Sequence, residues 1–227
     1  MKPRITALVP MRHHSQRVPG KNYRLLAGKP LYQHILATLS TCPEIDDIVV
    51  DTDSPVILEG MKDVFPKVIS LERPESLRAD TVPMNEILLY DTAQVKSDLY
   101  LQTHSTNPLL RSQTISAAIQ ALLANMPAFD SLFGVTRLQT RLWDALTRPI
   151  NHNPAILLQT QDLPPVYEEN SCVYIFSRET LQSRRNRLGE RPYMFPINRS
   201  EAWDIDEELD FEVCDLLLKN RLAAEKA

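Results

Sequence analysis

Glycine is scarce in this chain: five residues in 227, against seventeen prolines. Neither G-x-G-x-x-G nor G-x-x-x-x-G-K-[ST] occurs, which argues against a Rossmann dehydrogenase and against a P-loop nucleotide site. The prolines imply stiffened loops. Cysteine is equally rare. Cys42, Cys172 and Cys214 stand far apart with no C-x-x-C pair, so reduced thiols in a cytoplasmic protein are expected rather than a disulfide framework or a zinc cluster. No apolar run is long enough to span a bilayer. The opening MKPRITALVPMR holds only a five-residue apolar run before Pro10, too short for a secretory signal. Positive charge shows no surplus: 25 Lys and Arg stand against 29 Asp and Glu, a net charge of -4. No global basic field therefore points to nucleic acid or an anionic membrane as a partner, and any anion site must be a local concentration of charge. His13, His14, His34, His104 and His152 show no metal-ligand spacing and read as structural or exposed.

What is present is ordinary globular material, 43% hydrophobic and 24% charged, in a length that suits one α/β domain with an appendage. Residues 4–9, 47–51, 67–71, 98–102 and 130–136 read as strands. Between them, 30–39, 55–65, 82–95 and 112–123 read as helices on their apolar spacing. Alternating strands and helices imply βαβ units and a mostly parallel sheet, whose ligands bind beyond the carboxyl ends of the strands. The helical pattern is then lost from 137 to 166, a Pro- and Asn-broken stretch that reads as an insertion with short strands, a hairpin arm for dimer contact. Residues 172–176 return as a strand, 179–186 as a helix and 194–197 as an edge strand. Residues 207–221 close the chain as an amphipathic helix with Leu209, Val213, Leu216 and Leu217 on its apolar face.

Five constellations stand where such a fold binds ligands. Directly after the first strand, residues 9–22 (VPMRHHSQRVPGKN) gather Arg12, Arg17 and Lys21, a guanidinium and ammonium set suited to phosphate. In WDIDEELD, Asp204 and Asp206 flank one Ile. In extended chain, residues i and i+2 face the same side, and two carboxylates there suit a hard divalent metal bridging phosphates. Asp206 is also a good N-cap for the last helix, which accounts for one of the two carboxylates, while Glu207, Glu208 and Asp210 suit the helix's positive end. LQTHSTNPLLR packs Gln102, Thr103, His104, Ser105, Thr106 and Asn107 at a strand's end, donors and acceptors able to read a base or sugar edge. ERPESLRADT offers Arg73, Arg78 and Asp80, either toward a phosphate or carboxylate or as a surface ion-pair loop. YEENSCVYIF places Glu168, Glu169 and Asn170 before a buried strand, where a sugar hydroxyl or amide can bind.

Together these stretches resemble one family, the acylneuraminate (CMP-sialic acid-type) cytidylyltransferases. The family's opening P-A-R-x-x-S-K-x-x-P-x-K-N is matched at Pro10, Arg12, Ser15, Pro19, Lys21 and Asn22. Its STD reads DTD at 51–53, and its RP…L…DT is matched by Arg73, Pro74, Leu77, Asp80 and Thr81. Its LQPTSPLR appears in the longer form LQTHSTNPLLR, its NGAIYI as NSCVYIF, and its DIDxxxDL as DIDEELDF. The matches keep their order and span nearly the whole chain.

The resemblance implies a three-layer α/β/α nucleotidyltransferase fold over 1–227 with a mostly parallel sheet, dimeric through an arm at 137–170. It implies a cytidylyltransferase that joins CTP and an acidic 2-keto sugar into a CMP-sugar and pyrophosphate for surface glycan synthesis, with Mg2+ as cofactor. The catalytic residues would be Arg12, Lys21 and Asp206, and the metal carboxylates Asp204 and Asp206. The nucleotide would be held by Arg12, Ser15, Arg17, Lys21, Asn22, Arg73, Asp80 and Thr81. The sugar would meet Gln102, Thr103, Ser105, Glu169, Asn170 and Tyr174. The chain departs from the family at Gln16, where a Lys is usual with Arg17 beside it, at Ser171, where Gly is usual, and in LLQTQDLPP, which lacks the Arg that relatives carry for the sugar carboxylate. Gln16 keeps open a catalytically weak paralogue that binds nucleotide or sugar, and another nucleoside triphosphate or acceptor on the same fold is the third reading. The sugar itself, sialic, legionaminic, pseudaminic or Kdo-like, stays open.

Overall fold

The computed structural model describes residues 2–225. Strand β1 (Ile5–Leu8) is buried along its whole length, as a central parallel strand must be. It lies between β4 (Asp47–Thr52) and β6 (Leu99–Gln102), parallel to both. The short β2 (Leu25–Leu26) and β3 (Lys29–Pro30) form a separate ribbon. β5 (Ile69–Glu72) extends the sheet beyond β4 in parallel. On the other side β8 (Val166–Phe176) runs antiparallel to β6 and to β7 (Ser131–Leu138), and β9 (Pro192–Pro196) lies parallel to β7 at the edge. The order is β5-β4-β1-β6-β8-β7-β9.

Strand alternation sets the layers. Ile48 and Val50 point into a core with residues of α1 (Leu31–Ser40), α2 (Pro55–Val64) and α4 (Ser112–Asn125). Val49 points the other way, with Leu8, Tyr100, Tyr174 and Phe176, toward Leu88 of α3 (Met84–Gln94) and Leu181 of α5 (Arg178–Arg184). The result is a sheet between two helical layers. A third cluster ties α6 (Glu208–Ala224) to the loop after β1 through Val18, Leu26, Ile205, Phe211, Cys214 and Leu218.

Several elements differ from the sequence reading. β8 begins at Val166, well before the apolar run at 172, because Thr136, Arg137 and Leu138 pair with Glu168, Tyr167 and Val166 and a backbone ladder needs no apolar side chain. The register shifts at Gly134, where a Cβ would stand 2.7 Å from Asn170 Oδ1 and 2.8 Å from Ile197 Cδ1, and Ser171 opposite takes φ +56°. The arm between β7 and β8 holds one bridge, Trp143 to Pro149, and is otherwise pinned by Asn151, which bonds Leu142 N, Thr140 O and Pro164 O. On α6 the buried face is Phe211, Cys214 and Leu218; Leu209, Leu216 and Leu217 are 67%, 60% and 39% exposed. This helix carries apolar residues on more than one face, and the 3–4 spacing that docks is the one facing Val18 and Ile205. Its N-cap is Glu207, in a capping box with Asp210, so Asp206 is released from that role.

Beneath the carboxyl end of β4 lies a buried charge cluster. Arg73 and Asp51 are 1% and 0% exposed and ion-paired through Arg73 Nε and Asp51 Oδ1. Asp91 of α3 is equally buried. Asp51 Oδ2 and both Asp91 oxygens have no donor, which a proton on Asp91 supplies. Burial and the neighbouring Asp51 push the Asp91 carboxyl up. A raised folded pKa means that the native state keeps a proton the unfolded chain has lost, so stability falls as pH rises above the ordinary carboxyl range. Asp91→Asn keeps the shape and carries the donor permanently. Urea unfolding is expected to show the variant more stable than wild type at pH 8 by about 1–3 kcal/mol, with the difference shrinking toward pH 4. A variant less stable at pH 8 would contradict the shared proton.

Candidate active site

The carboxyl ends of β1, β4 and β6 share one edge of the sheet, and the loop after β1 crosses it. Met11 still bridges to Thr52, so the chain turns away only after it. The turn is fixed by its neighbours: His13 N donates to Asp53 Oδ1 at 2.7 Å, and His13 Nδ1 lies 2.8 Å from Ser54 Oγ. Buried Asn22 donates to Arg12 O at 2.7 Å and accepts from Ser105 Oγ at 2.8 Å, locking this loop to the one after β6. Gly20 sits at φ +68°, where a Cβ would meet Tyr23 Cε2 at 2.9 Å, so the turn before Lys21 requires glycine.

Two cavities open along this edge. One, of about 460 Å³, is lined by Arg12, Ser15, Gln16, Arg17, Lys21, Asn22 and Asp80, and by Met84, His104, Ser105 and Thr106. The other, of about 440 Å³, is lined by Thr136, Glu168, Glu169, Asn170, Ser171, Arg199 and Trp203, and by Asp204, Asp206 and Asp210. The register of β8 creates the second: Tyr174 stands opposite Gln102, so the strand's preceding residues project past the end of β6. The first cavity is cationic and the second anionic, and Lys21 and Asp206 stand where they meet. Lys21 Nζ donates to Ile205 O, between the two aspartates, and Arg17 Nη2 pairs with Asp206 Oδ1 at 2.6 Å.

The cations are held in a form that a phosphate can take over. Arg12 pairs with Asp80 at 2.6 Å with side chains 37% and 55% exposed, and Gln16 Nε2 donates to the other Asp80 oxygen at 2.7 Å. The Arg17–Asp206 pair is also exposed. Such pairs stabilise by less than about 1 kcal/mol, so exchanging the carboxylate for a phosphate costs little. Burial pulls the Lys21 ammonium below its ordinary value, opposed by Asp204 and Asp206. Burial pushes the Asp204 carboxyl up, and Asp206 adds to the shift.

Asp204 Oδ1 is buried with no hydrogen-bond partner, an orphaned acceptor two residues from a second carboxylate. Among the described residues no group of three or more His, Cys, Asp or Glu is arranged around a metal. Two carboxylates with substrate phosphates and water fit the habits of Mg2+, which rarely takes an all-protein cage.

The structure thus brings Arg12, Ser15, Arg17, Lys21, Asn22, Asp80 and Ser105 to the cationic cavity, and Glu169, Asn170, Asp204 and Asp206 to the anionic one. It takes Arg73 out of the nucleotide site: that guanidinium lies in the core on Asp51. Thr81 is exposed beside Asp80 but lines neither cavity. Gln102, Thr103 and Tyr174 are fully buried. Thr103 Oγ1 donates to Cys172 O at 2.7 Å, a strand-to-strand tie, and the Tyr174 hydroxyl donates to Glu169 Oε1, with burial pushing it up to about 12.

Two residues here do more than the sequence reading gives them: His104 is there only among the polar groups after β6 and as structural or exposed, and Arg187 is not named. His104 accepts from Gln102 Nε2 at 2.9 Å, and burial, with Arg187 and Lys21, pushes it down to about 4, so it is a neutral wall of the cationic cavity at physiological pH. Arg187 donates to Gln102 Oε1 and lies over the Tyr174 ring at 3.4 Å. In sequence it is one of several arginines in SRRNRLGER, and nothing marks it from the others.

A family model described as "Cytidylyltransferase" matches residues 6–223. The chain is 29% identical to the CMP-N,N'-diacetyllegionaminic acid synthase of Legionella pneumophila, over 95% of this chain and 97% of that protein. It is 24% identical to post-translational flagellin modification protein B of Campylobacter coli, over 91% and 92% of the two chains. It is 25% identical to N-acylneuraminate cytidylyltransferase A of Danio rerio over 93% of its own length, and spans about half of that protein, 50%. Among solved structures, a CMP:2-keto-3-deoxy-manno-octonic acid synthetase complexed with CTP superposes with a TM-score of 0.71 at 16% identity, covering 96% of this chain and 99% of that one. A 4-diphosphocytidyl-2C-methyl-D-erythritol synthase superposes with a TM-score of 0.67 at 16% identity, over 96% and 100%.

Proposed function

This chain belongs to the cytidylyltransferase family, and we propose that it transfers CMP from CTP to the anomeric hydroxyl of an acidic 2-keto sugar. The observation that carries this reading is the meeting of a cationic and a carboxylate-rich cavity at Lys21 and Asp206. The triphosphate lies in the cationic cavity against Arg12, Arg17 and Lys21, and the sugar lies toward Glu169 and Asn170. The anomeric oxygen attacks the α-phosphorus, the bond to the bridging oxygen of the β-phosphate breaks, and pyrophosphate leaves; the hydroxyl proton is released. Arg12 and Lys21 hold the charge that builds on the phosphate oxygens in a preorganised site. Asp204 and Asp206 would hold Mg2+, which when bound supplies charge neutralisation on the phosphates.

The sugar class is the acidic one named by the Legionella and zebrafish relatives, and the near-complete mutual coverage with the legionaminic acid synthase favours a nine-carbon acid. Surface glycan synthesis is the fitting use of such a product. A cytoplasmic location suits CTP supply, and no helix among the described residues is long and apolar enough to cross a membrane. The test is pyrophosphate release with CTP across sialic, legionaminic, pseudaminic and Kdo-type acids. Release with one of them is expected. Silence with all of them, together with tight CTP binding, would favour the catalytically weak paralogue, and Gln16→Lys is then the first variant to examine.

A homodimer built on the arm is part of this proposal. Leu157, Leu146 and Ile150 are 88%, 70% and 57% exposed, beside half-exposed Trp143, a local apolar density that monomers seldom leave in water. Light scattering is expected to give twice the 25.9 kDa chain mass and a shift toward monomer for Leu157→Asp. A wild-type mass of one chain would contradict the dimer.

A further inference from the structure

We propose that Arg187 is the carboxylate receptor of the acceptor sugar and so sets the enzyme's preference for acidic sugars. The inference rests on the reaction proposed above. Arg187 stands in the turn between α5 and β9. The backbone there is fixed: Arg187 N donates to Asn85 Oδ1 at 3.3 Å, Leu188 N to Asn186 Oδ1 at 3.1 Å, and Gly189 N to Ser131 Oγ at 2.8 Å. The side chain reaches across the end of the sheet to Gln102 Oε1 and lies on the Tyr174 ring at 3.4 Å. It is half-buried, and its partners are neutral.

That last fact separates it from Arg12 and Arg17 and groups it with Lys21 and Arg199, which also have no ion-pair partner among the described residues. Arg12 and Arg17 each have a carboxylate within 2.6 Å. Arg187 has none within ion-pair distance among the described residues. A half-buried guanidinium offers five donors, and leaving it unpaired costs free energy that an anion returns. Burial lowers its pKa, and a guanidinium stays charged in proteins.

Placement says which anion. Arg187 lines neither cavity itself and stands one residue behind each: its partner Gln102 donates to His104 of the cationic one, and the hydroxyl of Tyr174, over whose ring it lies, donates to Glu169 of the anionic one. The triphosphate's cations are Arg12, Arg17 and Lys21, which line the cationic cavity. The anionic cavity holds five carboxylates against Arg199, and a sugar carboxylate placed among them is repelled. Behind Glu169, on Tyr174 and Gln102, Arg187 can turn a planar, bidentate fork to it. Stacking on Tyr174 fixes the guanidinium plane, which makes the receptor directional. The arm segment LLQTQDLPP, which lacks an arginine, has no need of one on this account.

The test uses full-length Arg187→Gln and Arg187→Lys, checked for wild-type circular dichroism and melting temperature. Steady-state kinetics are run with the preferred 2-keto acid and its carboxamide analogue. Arg187→Gln is expected to raise the sugar KM at least about tenfold, to leave the CTP KM within about twofold, and to abolish the wild-type preference for acid over amide. Arg187→Lys is expected to recover part of that preference, which loss of a merely structural contact would not produce. Unchanged sugar KM and unchanged acid preference in Arg187→Gln would overturn the assignment and leave the reaction intact. Absence of pyrophosphate release from wild type with every acid would overturn the reaction itself, and the receptor with it.

Discussion

Asp206→Asn is expected to lower pyrophosphate release by about a hundredfold to a thousandfold while leaving the fold in place. The side chain has one partner, Arg17, in an exposed pair whose loss costs less than about 1 kcal/mol of stability. Its backbone N–H, which donates to Asp210 Oδ2 at 3.0 Å, is unchanged by the substitution, and the helix cap belongs to Glu207 and Asp210. What Asn removes is the negative charge beside the orphaned Asp204 oxygen. With one carboxylate left, a divalent cation is held weakly, and raising magnesium is expected to restore only part of the rate. The check is turnover against magnesium concentration, with a thermal melt on the same sample. Near-normal activity at low magnesium would remove Asp206 from the metal role.

Arg12→Ala is the second large effect. Arg12 lies on the loop that Asn22, Ser105 and Asp53 hold in place, so its guanidinium is presented without reorganisation. Its ion pair with Asp80 is exposed and contributes little to stability. The loss therefore falls on charge stabilisation at the phosphates, about 3–4 kcal/mol in the transition state, read as a drop in both kcat and kcat/KM for CTP. A rise in the sugar KM alone, with kcat kept, would mean uniform binding of the acceptor and would contradict a triphosphate role.

Much of the architecture was legible because burial writes itself into strand alternation and helix spacing. Residues 5–8, 47–52 and 99–102 are short, apolar and followed by polar loops; the loops after the first and the last line the cationic cavity, and Asp53 and Ser54 after the second hold it in place. The limits were physical as well. The first half of β8 is polar because one edge of it faces a cavity, so no apolar pattern marks it. The docking face of α6 depends on Val18 and Ile205, more than 180 residues apart, and its own sequence offers competing faces. Arg73 reads as a phosphate ligand until Asp51 is seen to point into the core, where it pairs with the guanidinium beside Asp91. Arg187 is the opposite case: an arginine among arginines whose role comes from Gln102 and Tyr174, residues distant in sequence that the sheet places opposite each other.

The reaction class is tested most directly by following pyrophosphate with wild-type enzyme, magnesium and each nucleoside triphosphate, with and without a nonulosonic acid. The account predicts release that requires both CTP and the 2-keto acid, matched one for one by a CMP-sugar seen by mass, with ATP, GTP and UTP giving little. Equal release with another triphosphate, or no release with any acid while CTP still raises the melting temperature, would contradict it.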